Sequence, residues 1–290
     1  MIELNHSPTQ VVKWSLAEQK SVNVDIKRDD LLHPVISGNK WRKLKYLISD
    51  AQEKGCSELI SMGGNWSNHL HALAYVGKAL NLRTRGFVRA HPNQAITPTL
   101  EDCQRWGMRL QFCSRQEYAA LRQDNHWSRF SEQSPDSYWL SEGGFGQLAI
   151  RGVEDIAQEV DEHYDYIFVG CGSGATLCGL SKTFNHSHVV GVAAFSGADY
   201  LQESLGKHIG PRDSNWSLDT QHHCGGFAKR NADLDEVISS LELTNSFKLD
   251  PVYNGKTFLA LQSWLALGKI PSGSKVLVIH TGGLQGTRSP

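Results

Sequence analysis

Apolar residues follow two alternating periods along the chain. Short runs of β-branched and aliphatic residues predict strands, and segments with apolar residues at every third or fourth position predict helices. The strands are predicted at residues 58–62, 83–89, 109–112, 137–140, 166–169, 189–194 and 275–279. The helices are predicted at residues 67–80, 96–106, 147–163, 232–244 and 256–268. Strands that alternate with helices form βαβ units, so the pattern predicts an α/β protein with mostly parallel sheets covered on both faces.

Glycine-rich turns follow four of these strands, at residues 63–64, 143–144, 170–174 and 282–283. In parallel sheets, ligands bind beyond the carboxyl ends of the strands. The four turns are therefore predicted to meet at one shared site.

Composition narrows the class of protein. The 290 residues include 29 basic and 30 acidic side chains, so nothing in the net charge of −1 favours nucleic acid or an anionic membrane as partner. The six cysteines are scattered without a CxxC pair, which favours reduced thiols. The N-terminal residues lack the basic start and apolar core of a signal peptide. We expect a soluble cytoplasmic protein.

A helix is predicted to begin within the segment SGNKWRKL, residues 37–44. Ser37 or Asn39 can cap it, because both side chains accept a hydrogen bond from a backbone N–H of the first helical turn. Lys40 then lies in that first turn.

The predicted surroundings of Lys40 favour its uncharged form. The positive end of the helix dipole and the neighbouring Arg42 and Lys43 all oppose another positive charge. A lysine that loses its proton easily suits imine formation with an aldehyde. The alternative is a solvated, basic helix start without chemistry.

The segment GCGSGAT, residues 170–176, joins a predicted strand to a predicted helix. Its small residues let backbone N–H groups approach an oxyanion at the helix N-terminus, and Ser173 and Thr176 add hydroxyl donors. It is not a Walker A loop, because no lysine follows, and Leu177 stands where a dinucleotide-binding loop needs its third glycine. The segment therefore favours a monophosphate, with an ordinary tight turn as the alternative.

Two further turns carry polar groups. The segment GGNWSNH, residues 63–69, presents amides and a hydroxyl at a helix start, which suits a carboxylate, although Ser67 or Asn68 could equally be a plain cap. The other segment is DPVYNGK, residues 250–256. Considered by itself, its Tyr253 is expected to be a core aromatic residue.

In their order, these segments resemble the family of 1-aminocyclopropane-1-carboxylate deaminases and D-cysteine desulfhydrases, which are tryptophan synthase β-like, fold type II pyridoxal-phosphate enzymes. The resemblance runs from about Leu32 to Gly283 and also includes EGG at 142–144 and HTGG at 280–283. It implies two doubly wound α/β domains with mostly parallel sheets and a homodimer. The small domain, residues 46–140, would be inserted into a large cofactor-binding domain of residues 1–45 and 141–290.

The resemblance also implies roles for individual residues. Lys40 would hold pyridoxal 5′-phosphate as a Schiff base and, once released, remove the Cα proton of an amino acid. Asn68 would bond the phenolic oxygen of the cofactor, Tyr253 would assist proton transfer, and Asn254 would face the pyridine nitrogen. The substrate would be oriented by Ser67, Asn68 and His69. The phosphate would be cradled by Gly172, Ser173, Gly174, Ala175 and Thr176.

Two departures from the family pattern concern the reaction. Deaminases that open a cyclopropane ring carry glutamate where this chain has Asn254, and a second tyrosine where it has Phe227. A neutral amide stabilises a carbanion less than a carboxylate that keeps the pyridine nitrogen protonated. The resemblance therefore favours α,β-elimination, with D-cysteine or a related β-substituted amino acid giving pyruvate and ammonia.

Four alternatives stay open. They are 1-aminocyclopropane-1-carboxylate deamination, β-replacement, cofactor binding without turnover, and metal-dependent hydrolysis by some of the thirteen histidines. The histidine clusters at 69–71, 186–188 and 222–223 lack the i, i+4 helical spacing with a nearby carboxylate that zinc proteases use, so no metal is predicted.

Overall fold

A computed structural model describes residues 2–90, 95–123, 134–210 and 215–288. Within these ranges the strands are β1 (Thr9–Val11), β2 (Asn23–Lys27), β3 (Glu58–Gly64), β4 (Arg83–Arg89), β5 (Arg109–Cys113), β6 (Ser137–Trp139), β7 (Tyr166–Cys171), β8 (His188–Ala193), β9 (Trp216–Asp219) and β10 (Lys275–Ile279). The α-helices are α1 (Ser15–Gln19), α2 (Asn39–Glu53), α3 (Asn68–Leu80), α4 (Pro98–Arg105), α5 (Arg115–Leu121), α6 (Gln147–Glu154), α7 (Ala175–Thr183), α8 (Tyr200–Ile209), α9 (Ala232–Thr244) and α10 (Asn254–Ala266).

The strands form two sheets. One has the order β1-β2-β10-β7-β8-β9, in which only the β1–β2 pair is antiparallel. The other has the order β5-β4-β3-β6 and is parallel throughout. The predicted α/β class with mostly parallel sheets is confirmed.

Each sheet is buried on both faces, because successive side chains of a strand point to opposite sides. In β10, Val276 and Val278 join a core with Trp14 and Phe258, whereas Leu277 packs with residues of α6, α7 and α8 on the other face. The smaller sheet is likewise covered by one core beneath α2, α3 and α4 and another beside α5. The doubly wound arrangement follows from this alternation.

Several predicted elements are confirmed to the residue, among them β4, β10 and α9. The predicted helix at 147–163 is too long: α6 ends at Glu154, and a 3-10 turn, Asp155–Glu159, follows. At the end of this turn the Glu159 carboxylate binds the guanidinium of Arg42 on α2.

The smaller sheet is built from residues between 58 and 139, inside the predicted small domain. The domain boundaries themselves stay a prediction. In the described part of the chain, no helix combines the length and apolar character needed to cross a bilayer.

Candidate active site

A glycine, not a polar cap, starts the helix that carries Lys40. Gly38 occupies the N-cap position with φ 68°, and no side chain caps α2. A methyl group on Gly38 would lie 1.9 Å from the carbonyl oxygen of Thr281, so only glycine fits. The predicted cap by Ser37 or Asn39 is therefore wrong: the Asn39 amide instead donates to Thr176 Oγ1 at 2.9 Å and ties α2 to α7.

Lys40 lies partly buried in the first turn of α2, as predicted, and its Nζ donates to Asn39 Oδ1 at 2.6 Å. Burial lowers its pKa to about 7, and the charge of Lys43 adds to this effect, while Asp250 opposes it. The predicted lowering is confirmed, but its main cause is burial. Arg42 is not a free charge, because it forms paired hydrogen bonds with Asp29 and Glu159.

The turn between β7 and α7 has the geometry of an anion cradle. The first N–H groups of α7 have no acceptor within the helix, and Gly174, with φ 88°, turns the chain into it. Buried Lys43 extends towards this turn, with Nζ 3.3 Å from Ser173 Oγ and 3.5 Å from the Gly143 carbonyl oxygen. Burial lowers the pKa of Lys43 to about 8. A buried amine with only two long contacts suits an anionic ligand.

The sequence analysis treated Lys43 only as a neighbouring positive charge that lowers the pKa of Lys40. Its three-residue spacing from Lys40 on α2 could have placed it in the site, since positions i and i+3 share a helix face.

The start of α3 presents the second set of polar groups. Ser67 caps the helix by accepting from the Leu70 N–H at 3.2 Å, and its own hydroxyl proton stays available for donation. Asn68 Oδ1 accepts from Gln285 Nε2 at 3.0 Å. A methyl group on Gly283 would lie 3.0 Å from Asn68 Nδ2, so the HTGG turn reaches this helix start.

His69 points behind these groups. Its Nε2 lies 2.8 Å from Ser61 Oγ, whose hydroxyl donates to the Leu140 carbonyl oxygen at 2.9 Å, so Nε2 carries the ring proton. Burial, followed by the charges of Lys43 and Lys40, lowers the pKa of His69 to about 3. The ring is neutral, and any charge-based contact of this side chain with a carboxylate is disfavoured.

Tyr253 covers the glycine turn after β7. A methyl group on Gly172 would lie 3.3 Å from Tyr253 Oη, and the ring meets Phe227 edge to face with centroids 6.1 Å apart. Burial raises the pKa of Tyr253, so its hydroxyl keeps its proton at neutral pH. Phe227 itself is 54% exposed.

The buried amide of Asn254 is fully hydrogen-bonded within the protein. Nδ2 donates to Asp250 Oδ2 and to the Gly282 carbonyl oxygen, and Oδ1 accepts from the backbone N–H and the hydroxyl of Thr281. An amide offers two donors and two acceptor positions, so none is left for a ligand atom. Contact with a pyridine ring would therefore occur through the flat face of the amide group. The role of Asn254 stays a prediction.

Contacts link the segments that contain the four glycine-rich turns, and a methyl group on Gly144 would lie 3.2 Å from His69 Cε1. That the four turns form one shared site stays a prediction. A methyl group on Gly143 would lie 3.4 Å from Ser173 Oγ, and one on Gly283 would lie near both Asn68 and Asp250. The 282–283 turn is fixed by His280, whose Nε2 donates to the Lys248 carbonyl oxygen while Nδ1 accepts from the Gly282 N–H.

The histidines named in the sequence have other partners. His71 pairs with Asp102, His188 with Ser217, and His222 with Asp219. Across the residues that the structure describes, no group of three or more His, Cys, Asp and Glu side chains could hold a metal ion.

Comparison with known families decides the class. The profile of the family described as pyridoxal-phosphate dependent enzyme matches residues 2–282. The chain belongs to this family. Its cofactor is accordingly pyridoxal 5′-phosphate, and the residues present fit that group, because the site offers a lysine of lowered pKa for the aldehyde and a buried amine beside a helix N-terminus for the phosphate.

Two curated relatives cover 98% of this pyridoxal-phosphate enzyme. One is the mitochondrial bifunctional D-cysteine desulfhydrase/1-aminocyclopropane-1-carboxylate deaminase of Arabidopsis thaliana, which is 28% identical over 78% of its own length. The other is a Thermotoga maritima protein provisionally named 1-aminocyclopropane-1-carboxylate deaminase, 29% identical over 96% of its length. The predicted resemblance is confirmed.

Among solved structures, that of an ACC deaminase homologue superimposes with a TM-score of 0.84 at 26% identity, covering 97% of this chain and 90% of the other. Threonine deaminase isoform 2 of Solanum lycopersicum shares the fold, with a TM-score of 0.69 at 17% identity over 97% of this chain and 80% of the other.

Proposed function

We propose that the protein is a lyase that eliminates the β-substituent of a small amino acid, D-cysteine or a close analogue, to give pyruvate and ammonia. The observation that carries the proposal is Lys40, a lysine whose pKa burial lowers to about 7, in the first turn of a helix whose N-cap, Gly38, packs against Thr281 and Gly282. The names of the curated relatives supply the substrate class.

Lys40 is the residue proposed to hold the cofactor. When bound, pyridoxal phosphate supplies an electron sink for the bonds at Cα of the substrate. Residues 172–176 and Lys43 would hold the phosphate, because the helix N-terminus and the buried amine both favour negative charge. Asn68 Nδ2 would donate to the phenolic oxygen.

Lys40 is also the proposed base at Cα. A base is most effective when its pKa lies near the working pH, and about 7 meets that condition. Asn39 Oδ1, 2.6 Å from Nζ, orients the amine by accepting one of its protons. The neutral amine keeps a free pair of electrons with which it would accept the Cα proton.

The start of α3 is the proposed site of the substrate carboxylate. The Ser67 hydroxyl and the backbone N–H groups of Asn68 and His69 lie at the positive end of the helix dipole. His69 acts here through its backbone, since its ring is neutral and turned towards Ser61.

Tyr253 is the proposed partner in proton transfer. Its hydroxyl keeps its proton at neutral pH because burial raises its pKa, so it can donate a hydrogen bond that stabilises a leaving thiolate. In the same site Phe227 offers no hydroxyl and Asn254 no charge, and both features favour elimination over ring opening.

Three further proposals concern organisation. We propose a division into residues 1–45 with 141–290 and residues 46–140, with the cofactor between the two sheets. We also propose a homodimer in the cytoplasm. Sedimentation of the purified protein tests the dimer: a monomer at micromolar concentration would contradict it.

Visible spectroscopy and product analysis test the proposed reaction. Purified protein loaded with pyridoxal phosphate should be yellow, and addition of D-cysteine should release pyruvate in step with sulfide. Release of 2-oxobutyrate from 1-aminocyclopropane-1-carboxylate would instead favour ring opening, and a new thioether with added thiols would favour β-replacement. A stable colour with no product from any of these substrates would contradict catalysis.

A further inference from the structure

The turn that follows the family's last matched residue contributes to the site. After Gly283 the chain forms a 3-10 turn, Leu284–Thr287, closed by a hydrogen bond from the Gly286 N–H to the Gly283 carbonyl oxygen at 3.0 Å. The family profile matches residues 2–282, so this turn lies just beyond the matched residues.

Gln285 fixes the orientation of the Asn68 amide through a hydrogen bond. Its Nε2 donates to Asn68 Oδ1 at 3.0 Å, which requires that the oxygen of that amide face Gln285. Asn68 Nδ2 must then face the opposite way, towards Gly283, where an added methyl group would lie 3.0 Å away. Among the described residues, none accepts a hydrogen bond from Nδ2.

Arg288 holds the turn in this position. Its Nε donates to the Gln285 carbonyl oxygen at 3.0 Å, and its Nη2 lies 2.8 Å from Asp102 Oδ2 on α4. Asp102 also accepts from His71 Nε2 on α3 at 3.0 Å. The turn is thus tied to the same helix that carries Asn68.

We infer that Gln285 is a positioning residue that orients the Asn68 amide so that Nδ2 is presented to the phenolic oxygen of the cofactor. The inference rests on the role proposed for Asn68. It assigns a function to a residue outside the family motifs: without the Gln285 donor, the two ends of the Asn68 amide can exchange places.

Two substitutions of the same residue separate orientation from simple contact. Gln285→Ala removes the donor and lets the amide turn, and the affinity for pyridoxal phosphate should fall about 2- to 10-fold, the effect of one net hydrogen bond. Gln285→Glu is similar in size but is only an acceptor when ionised, so it draws Asn68 Nδ2 away from the cofactor. Its loss should exceed that of Gln285→Ala.

The readout is the pH midpoint of the absorbance band of the lysine-bound cofactor, measured together with cofactor affinity. An Asn68 donor withdraws negative charge from the phenolic oxygen, which otherwise retains the neighbouring proton. Both variants should therefore raise the midpoint, Gln285→Glu more than Gln285→Ala. In an Asn68→Ala background, Gln285→Ala should cause no further change, because the amide that it orients is gone.

Gln202→Glu, the same change at an exposed position of α8, is the matched control and should leave both readouts unchanged. Thermal unfolding checks that the Gln285 variants are folded. Wild-type midpoint and cofactor affinity in both Gln285 variants would overturn the inference. Failure of the wild type to release pyruvate while its absorbance band responds to these variants would count against the proposed reaction alone.

Discussion

The first turn of α2 has two faces, and both bury basic side chains. On one face Arg42 binds Asp29 and Glu159 through four hydrogen bonds of 2.6–2.8 Å. On the other, Lys40 has one neutral partner and Lys43 has two long contacts. A paired buried cation stabilises the fold once it is in place, whereas an unpaired one has a lowered pKa and is available for a ligand.

Lys256 shows that burial alone does not make a lysine reactive. It is as buried as any side chain in the protein, and its Nζ donates to the carbonyl oxygens of Ala194 and Gly226 at 2.9 and 2.8 Å. These bonds use the amine to join α10 to the loop that carries Phe227. Burial lowers the pKa of Lys256 as well, so the feature that distinguishes it from Lys40 is the pair of carbonyl oxygens that hold its amine.

The largest expected effect on activity comes from the face of α2 that carries Lys40 and Lys43. Lys40→Ala removes both the proposed cofactor attachment and the base, so kcat/KM should fall by at least about 10²- to 10⁴-fold, the usual contribution of a positioned base. The yellow colour should be absent. Lys256→Met is the matched control for a buried lysine: retention of the absorbance band in its folded fraction is expected, and loss of the band there but not in Lys40→Ala would contradict the assignment.

On the face of α2 that carries Arg42, the substitution Arg42→Met should lower the free energy of unfolding. It leaves Asp29 buried without its counter-charge, which costs about 3–5 kcal/mol of unfolding free energy. Urea unfolding measures the loss. Arg230→Met, which breaks an exposed pair with Asp235, should cost at most about 1 kcal/mol. Equal losses in the two variants would contradict the distinction between the faces.

Lys43→Met should have the opposite profile. Affinity for pyridoxal phosphate should fall about 10- to 100-fold with the loss of a charged hydrogen-bond donor to the phosphate, while the cofactor-free protein should be no less stable. Isothermal titration measures the affinity, with Lys207→Met at an exposed position of α8 as control. Affinity for pyridoxal, which has no phosphate, should change little. A loss as large for pyridoxal as for its phosphate would place Lys43 elsewhere in the mechanism.

A related prediction concerns pH. Because Lys43 has a pKa of about 8 in the folded protein and 10.5 ordinarily, the unfolded chain binds more protons between these values. The unfolding free energy of the cofactor-free protein should therefore rise with pH across this window, and Lys43→Met should flatten the rise. An unchanged slope in the variant would contradict the lowered pKa.

The smallest expected effect is the coupling between the two lysines. The rate at which the cofactor-free protein forms an imine with pyridoxal should rise with pH through a midpoint near 7, because only neutral Lys40 reacts. Lys43 lowers the pKa of Lys40, so Lys43→Met should move the midpoint upwards. A midpoint that does not move would show that burial alone sets the pKa of Lys40.

The sequence predicted the parts of the protein that depend on local pattern. Strands with continuous apolar runs, such as β7 and β10, and the glycine turns that follow them were placed correctly. The short elements β1, β9 and α5 were missed, since three to seven residues carry too little periodicity. The strand β2 could have been found, because Val24 and Ile26 alternate with polar residues in NVDIK.

Within the site, sequence reasoning found the residues of the motifs but not what they touch. Three of these contacts join segments far apart in the chain. They are the hydrogen bonds of the Asn254 amide, the packing of Gly38 against Thr281 and the hydrogen bond between Gln285 and Asn68. Such contacts depend on tertiary packing, which no local spacing encodes. Lys43 is the exception, because its position on α2 was visible in the sequence.

The most direct test of the account is to identify the lysine that holds the cofactor. Borohydride reduction of the loaded protein fixes pyridoxal phosphate to its amine, and peptide mass spectrometry then locates it. The account predicts modification of Lys40 alone, with Lys43 and Lys256 unmodified. Modification of Lys43 in place of Lys40, or of no lysine at all, would contradict it.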